Sequence, residues 1–211
     1  MIPNSIKYIV VGAVCARLLL LAGILTHSGT EGVFLPDSRG FYQTAVNITA
    51  GHGFSRDVTA PFLPSAHFPP LYPLLIAGSL TLTGSILPLI ILQIVLSSFI
   101  PLIIWRIGTL FTERRAPPLI AATLSAFEPL MMLWSVVLLT DVLATFLLLA
   151  AVLFFCQFLT SRAIRHTALS GLVLGAAALT RPDGQFLFLI ATAYFLSALL
   201  YTLAKKTKEV S

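Results

Sequence analysis

"LYPLLIAGSLTLTG", residues 71–84, is the stretch on which the fold turns. It is apolar enough for a lipid bilayer, but it has 14 residues with one proline and two glycines, whereas a helix crossing the hydrocarbon core needs about 20. The length predicts a re-entrant or interfacial helix that does not cross. If it did cross, every later loop would change sides.

The rest of the chain supplies the context. Of 211 residues, 57% are apolar and 10% charged, too little polar surface to cover a water-soluble globule. The expected class is an all-α polytopic membrane protein forming a single transmembrane domain over 1–211. Six spans are read, at about 6–26, 86–110, 117–133, 139–160, 167–180 and 185–204. An outer loop, 27–85, holds interfacial helices at 38–50 and 71–84. Lys7 precedes the apolar run "YIVVGAVCARLLLLAGIL", and no small-x-small cleavage site follows before Pro36, so the run reads as a retained signal anchor. Cys15 and Cys156 each lie in an apolar stretch and support no disulfide framework.

Charge tests the reading of 71–84. With that stretch not crossing, Lys7, Arg106, Arg114, Arg115, Arg162, Arg165, Lys205, Lys206 and Lys208 share one side, which the positive-inside rule makes cytoplasmic, together with both termini. The other side receives Arg39, Arg56 and Arg181 with Glu31, Asp37, Asp57, Glu128, Asp141 and Asp183, six of the eight carboxylates. The net charge of +5 is scattered between apolar stretches, and this excludes a nucleic-acid face.

Carboxylates at the mouths of apolar helices are costly unless solvated, paired or working. Asp37, after Pro36, is placed either to cap a short amphipathic helix or to do chemistry, and Asp141 after Thr140 has the same two readings. Arg181 closes one span before the turn Pro182-Asp183-Gly184, where an arginine also snorkels to the interface. Asp37, Asp141 and Arg181 belong to three different segments and are placed to line one cavity. Asn47-Ile48-Thr49 matches a glycosylation sequon in a segment expected to pack on the membrane. Arg17, inside the first span, has no role assigned.

The blocks "GHGFS" (51–55), "HFPPLYPLLIAG" (67–78), "RIGTLFTERRA" (106–116), "LSAFEPLMMLWSVVLLTDVLATFLLLA" (124–150) and "GLVLGAAALTRPDGQFLFLI" (171–190), behind a first-loop acid, resemble the membrane glycosyltransferases of the GT-C fold. The resembling branch contains protein O-mannosyltransferases and the aminoarabinose transferase that modifies lipid A. It runs from about residue 6 to 204. The resemblance implies inverting transfer of a sugar from a polyprenyl-phosphate carrier to an acceptor on the outer leaflet of a bacterial inner membrane.

By that resemblance Asp37 matches the general base that takes the proton of the acceptor hydroxyl. Asp141 matches the second outer-loop acid, which orients the acceptor or binds a divalent metal where one is used, with Asp37 as the other ligand. Arg181 matches the basic position that holds the lipid phosphate. Arg39, Tyr42, His67 and Asp183 are further substrate-binding candidates, with His67 ranked above His52. Two departures stand out. Ser38 follows the first-loop acid where a second acid is common, and the chain reaches "KKTKEVS" (205–211) after six spans where longer members continue. The expectation is an N-terminal half, complete as a minimal enzyme or joined by a second membrane subunit. The alternatives are a noncatalytic polyprenyl-lipid-binding or scaffold protein of the same fold, and a small transporter centred on Arg17, against which the lack of an inverted repeat counts.

Overall fold

The computed structural model describes residues 2–210, with side chains placed for these except residues 195 and 198–210. The lysines at 205, 206 and 208 therefore lie outside the described side chains. The elements are α1 (Asn4–Ser28), a 3-10 turn (Gly29–Val33), α2 (Pro36–Thr49), α3 (Leu71–Thr83), α4 (Leu87–Phe111), α5 (Ala116–Ala126), α6 (Pro129–Trp134), α7 (Asp141–Ser161), α8 (Ile164–Ala178) and α9 (Pro182–Val210). No strand occurs among the described residues, and the chain is an all-helical polytopic membrane protein. Three segments are long and apolar enough to cross a bilayer: Asn4–Val33, Leu87–Phe111 and Asp141–Ser161. Leu71–Thr83 and Ala116–Ala126 are shorter apolar helices.

The end of the bundle where α1 finishes is here termed the upper end. α4 runs down beside α1, α5 and α6 climb back, α7 and α8 form a hairpin, and α9 starts again from the top beside α8. Lipid removes the hydrophobic drive between helices, so close approach and internal hydrogen bonds hold them together. Gly184 shows how close: a β-carbon there would sit 2.5 Å from the Ala177 carbonyl oxygen, so only glycine lets α9 meet α8 at this turn. In the hairpin, Ser170 Oγ donates to the Ala151 carbonyl at 2.9 Å.

α3 begins at the upper end, where its Leu71 N–H donates to the Leu179 carbonyl beyond α8 at 2.9 Å. It ends at Gly84, in a left-handed conformation, just before α4. Its Tyr72, Ile76 and Ala77 pack into one core with Leu21 of α1, Phe41 and Ala45 of α2, Ile90 and Ile94 of α4, and Val136 and Leu138. Residues 135–138, between the expected spans 117–133 and 139–160, form a buried non-helical segment tied to the 3-10 turn by Leu138 N–H to the Val33 carbonyl, 2.9 Å.

The stretch expected as one span at 117–133 is two helices. Pro129 disfavours helical geometry in the residue before it, and Glu128 is accordingly extended, with ψ 121°. Its carboxylate caps α6, accepting from Leu130 N–H at 3.1 Å and Met131 N–H at 2.6 Å. The α5 helix stops two residues earlier at the level of Arg17, halfway along α1, and the fully buried Arg17 donates through Nη1 to the carbonyls of Ala126 (2.8 Å) and Ala13 (3.1 Å). The guanidinium thus stands at the negative end of a broken helix. That gives Arg17 a structural position inside the packing, with no described carboxylate beside it. Both cysteines are free thiols.

Candidate functional site

The upper end gathers the polar chemistry, beginning with α2. Pro36 opens this helix, and the cap is closed by Ser38, whose Oγ accepts the Leu35 N–H at 2.9 Å while the side chain is fully buried. Asp37 is thereby released from capping. It sits in the first turn, exposed, with no hydrogen-bond or ion-pair partner among the described residues.

Asp141 does not cap its helix either. Its Oδ1 accepts from Arg181 Nη1 at 2.5 Å, and Arg181 Nε lies 3.4 Å from Asp183 Oδ2. The Arg181 and Asp141 side chains are 34% and 23% exposed, enough shielding for their attraction to matter, whereas Asp183 at 71% is largely in solvent. Thus the expected phosphate-holding arginine has its charge matched by two acids and joins α7, α8 and α9 at one point.

The other candidates are more dispersed. Arg39 pairs with Glu31 at 3.0 Å, both well exposed, and its guanidinium stands 5.8 Å over the Phe34 ring. Tyr42 meets the same ring edge-on at 5.3 Å. His67 is exposed and edge-on to Phe68 at 4.7 Å, and His52 stacks on Phe62 at 3.9 Å. Asn47 of the sequon is 2% exposed and donates to two loop carbonyls, so its amide is a structural brace.

Four residues that sequence reasoning missed, Phe41, Phe68, Tyr72 and Gln93, link these parts. Phe68 packs on Phe41 at 4.2 Å, and Phe41 meets Tyr72 edge-on at 5.4 Å, one helical turn from Asp37. Tyr72 Oη donates to Gln93 Oε1 at 2.5 Å, and Gln93 Nε2 donates to the Val137 carbonyl at 2.8 Å. Tyr72 also lies within electrostatic reach of Asp141. A buried chain of rings and hydrogen bonds therefore runs from the start of α2 to the start of α7. A lone glutamine in the apolar α4 was the available signal.

For a metal, the donor set does not fit. Asp141 is committed to Arg181, and among the described residues no three His, Cys, Asp or Glu side chains stand together as a ligand group. Lower in the bundle, α7, α8 and α9 enclose an apolar groove of ≈ 690 Å³, lined among others by Leu148, Val152, Leu174, Leu187 and Phe188.

No curated protein and no solved structure matches the chain. A family profile does match, over residues 67–209, which takes in Tyr72, Gln93, the Glu128-Pro129 break, the Asp141–Arg181 tie and the groove, and leaves Asp37 outside. On that match, and on the helical membrane fold that carries it, the chain belongs to the dolichyl-phosphate-mannose-protein mannosyltransferase family, membrane glycosyltransferases that draw on polyprenyl-phosphate sugar donors.

Proposed function

We propose that the protein transfers a sugar, with inversion, from a polyprenyl-phosphate carrier to a hydroxyl acceptor at the outer face of a bacterial inner membrane. The upper end is the outer face in this reading and six segments cross, with the termini cytoplasmic. The observation that carries it is the state of Asp37. At the upper end Glu31, Asp57, Asp141 and Asp183 each have a cation or a hydrogen-bond donor, and Asp37 alone has neither among the described residues. An unpaired carboxylate in open reach of solvent is free to accept a proton. The acceptor oxygen forms its bond to the anomeric carbon as the bond to the phosphate oxygen breaks, its proton passes to Asp37, and polyprenyl phosphate leaves. Asp141 and Arg181, charge-matched and facing the same end, orient the acceptor.

The test is sugar transfer by the purified chain in lipid nanodiscs, supplied with polyprenyl-phosphate sugars and membrane extract, with Asp37→Asn alongside. Transfer lost in the variant supports the reading. Transfer unchanged in Asp37→Asn refutes Asp37 as the base.

A second reading, a noncatalytic polyprenyl-lipid binder that supports a transferase subunit, is favoured by the apolar groove between α7, α8 and α9, which needs no catalytic acid. Carrier binding without transfer by the wild-type chain supports that reading.

A further inference from the structure

With Arg181 and Arg39 matched by acids, the donor's phosphate needs another cation. We propose that Arg56 receives it, an inference that rests on the transfer reading for its substrate but is tested on binding.

The backbone presents Arg56 rigidly. Asn47 Nδ2 donates to the carbonyl of Ser55 and to that of Asp57, both at 2.9 Å, so the residues on either side of Arg56 are pinned by one buried amide. Ser55 is buried and bridges Pro64 across the loop. The neighbouring acid forms no ion pair with Arg56: Asp57 Oδ2 turns back into the loop, accepting from Leu63 N–H at 2.8 Å and from Ser55 Oγ at 3.2 Å.

The side chain is placed as firmly. The Arg56 guanidinium lies 4.8 Å over the Phe68 ring, and Phe68 rests on Phe41 of the core. This stack fills the notch above Gly40, where a β-carbon would come 2.8 Å from the ring and 3.6 Å from Arg56 Nη2. Gly40 is three residues from Asp37 and so on the same face of α2. Held over the ring with no acid beside it, the exposed guanidinium keeps N–H donors for phosphate oxygens, which a guanidinium binds two at a time. Among the described residues Arg56 has no carboxylate within ion-pair distance. The loop therefore sets an unpaired guanidinium against Gly40, one turn along α2 from the unpaired Asp37, a pairing of charges fitted to a hydroxyl and a lipid-linked phosphate. The phosphate gains negative charge as it leaves, so the Arg56 contact strengthens along the reaction.

The experiment measures binding of polyprenyl phosphate and of uncharged polyprenol to the purified chain in zwitterionic nanodiscs, for wild type, Arg56→Ala, Arg56→Lys and Gly40→Ala. Arg56→Ala is expected to weaken polyprenyl phosphate binding at least tenfold and leave polyprenol unchanged. Arg56→Lys recovers part of the loss, and Gly40→Ala, which displaces the ring under the guanidinium, reproduces part of it. Wild-type phosphate binding by Arg56→Ala overturns the proposal, as does an equal loss for polyprenol. Phosphatidylglycerol supplies the competing source of lipid phosphate. If it displaces polyprenyl phosphate at equal concentration, the assignment to the donor falls. Absence of sugar transfer in the wild type refutes the transfer reading alone, since these binding outcomes do not depend on it.

Discussion

Arg181 and Asp141 meet at 2.5 Å across 40 residues of sequence, and the contact closes the upper end of the α7–α8 hairpin. Leu179, two residues before Arg181, accepts the Leu71 N–H of α3, so the same turn also anchors the first-loop region. A pair in this position does structural service before any chemistry.

Removing one partner should therefore cost stability. Arg181→Gln and Asp141→Asn are each expected to destabilise the protein by between about 1 kcal/mol, the figure for an exposed pair, and roughly 3 kcal/mol, that for a buried one. The double variant should lose less than the sum. Thermal unfolding in detergent of all four proteins measures this. Polyprenyl phosphate binding by Arg181→Gln should stay within about threefold of wild type; a loss of tenfold would return the phosphate to Arg181.

Asp37→Asn removes a proton acceptor and almost no volume. Because Ser38 closes the helix start, α2 does not depend on the carboxylate, and the melting temperature should be unchanged. Transfer should fall by roughly 10²–10⁴, the usual worth of a positioned general base. Ser38→Ala is the counterpart: it takes away the cap, costs about 1 kcal/mol of stability, and leaves the Asp37 carboxylate present.

The elements that were legible in the sequence are those set by local physics. Apolar run lengths mark α1, α4 and α7, and the short run with Gly84 at its end marks α3. The helix break at Phe127-Glu128 was written in the Glu-Pro dipeptide, but the surrounding apolar residues masked it as one continuous span. What no local pattern carries is partnership. Arg17 finds its acceptor 109 residues away, Gln93 finds Val137 at 44 and Tyr72 at 21. Asp37 and Asp141 looked alike in sequence, each a helix-start acid, one after Pro36 and the other after Thr140. Packing left one unpaired and tied the other to an arginine.

Arg17 illustrates a cost that packing accepts. Its Nε and Nη2 are buried without a partner, yet Nη1 satisfies the open end of α5. Arg17→Lys keeps a donor for the Ala126 carbonyl and should alter the melting temperature little. Arg17→Leu leaves that carbonyl bare and should destabilise by about 1–3 kcal/mol. Comparing their unfolding midpoints decides whether the hydrogen bond to α5 matters. Equal stability of Arg17→Leu and wild type would show that it does not.

The Tyr72–Gln93–Val137 chain makes a sharper prediction because every link is buried. Tyr72→Phe removes the hydroxyl and strands Gln93 Oε1, while Gln93→Leu strands both the Tyr72 hydroxyl and the Val137 carbonyl. Each should cost about 1–3 kcal/mol, the desolvation penalty of an unpaired polar group. In the double variant the Tyr72 hydroxyl and Gln93 Oε1 are both gone and only the carbonyls that Gln93 Nε2 served are left, so the effects should fall short of additivity by roughly 0.5–3 kcal/mol. Gln93 holds residues 135–138, which lead directly into Asp141, so Gln93→Leu should also move the Asp141–Arg181 tie. A double cycle between Gln93→Leu and Arg181→Gln, read by thermal unfolding, should show coupling of at least 0.5 kcal/mol. Strict additivity there would mean that the buried segment and the charge pair act independently.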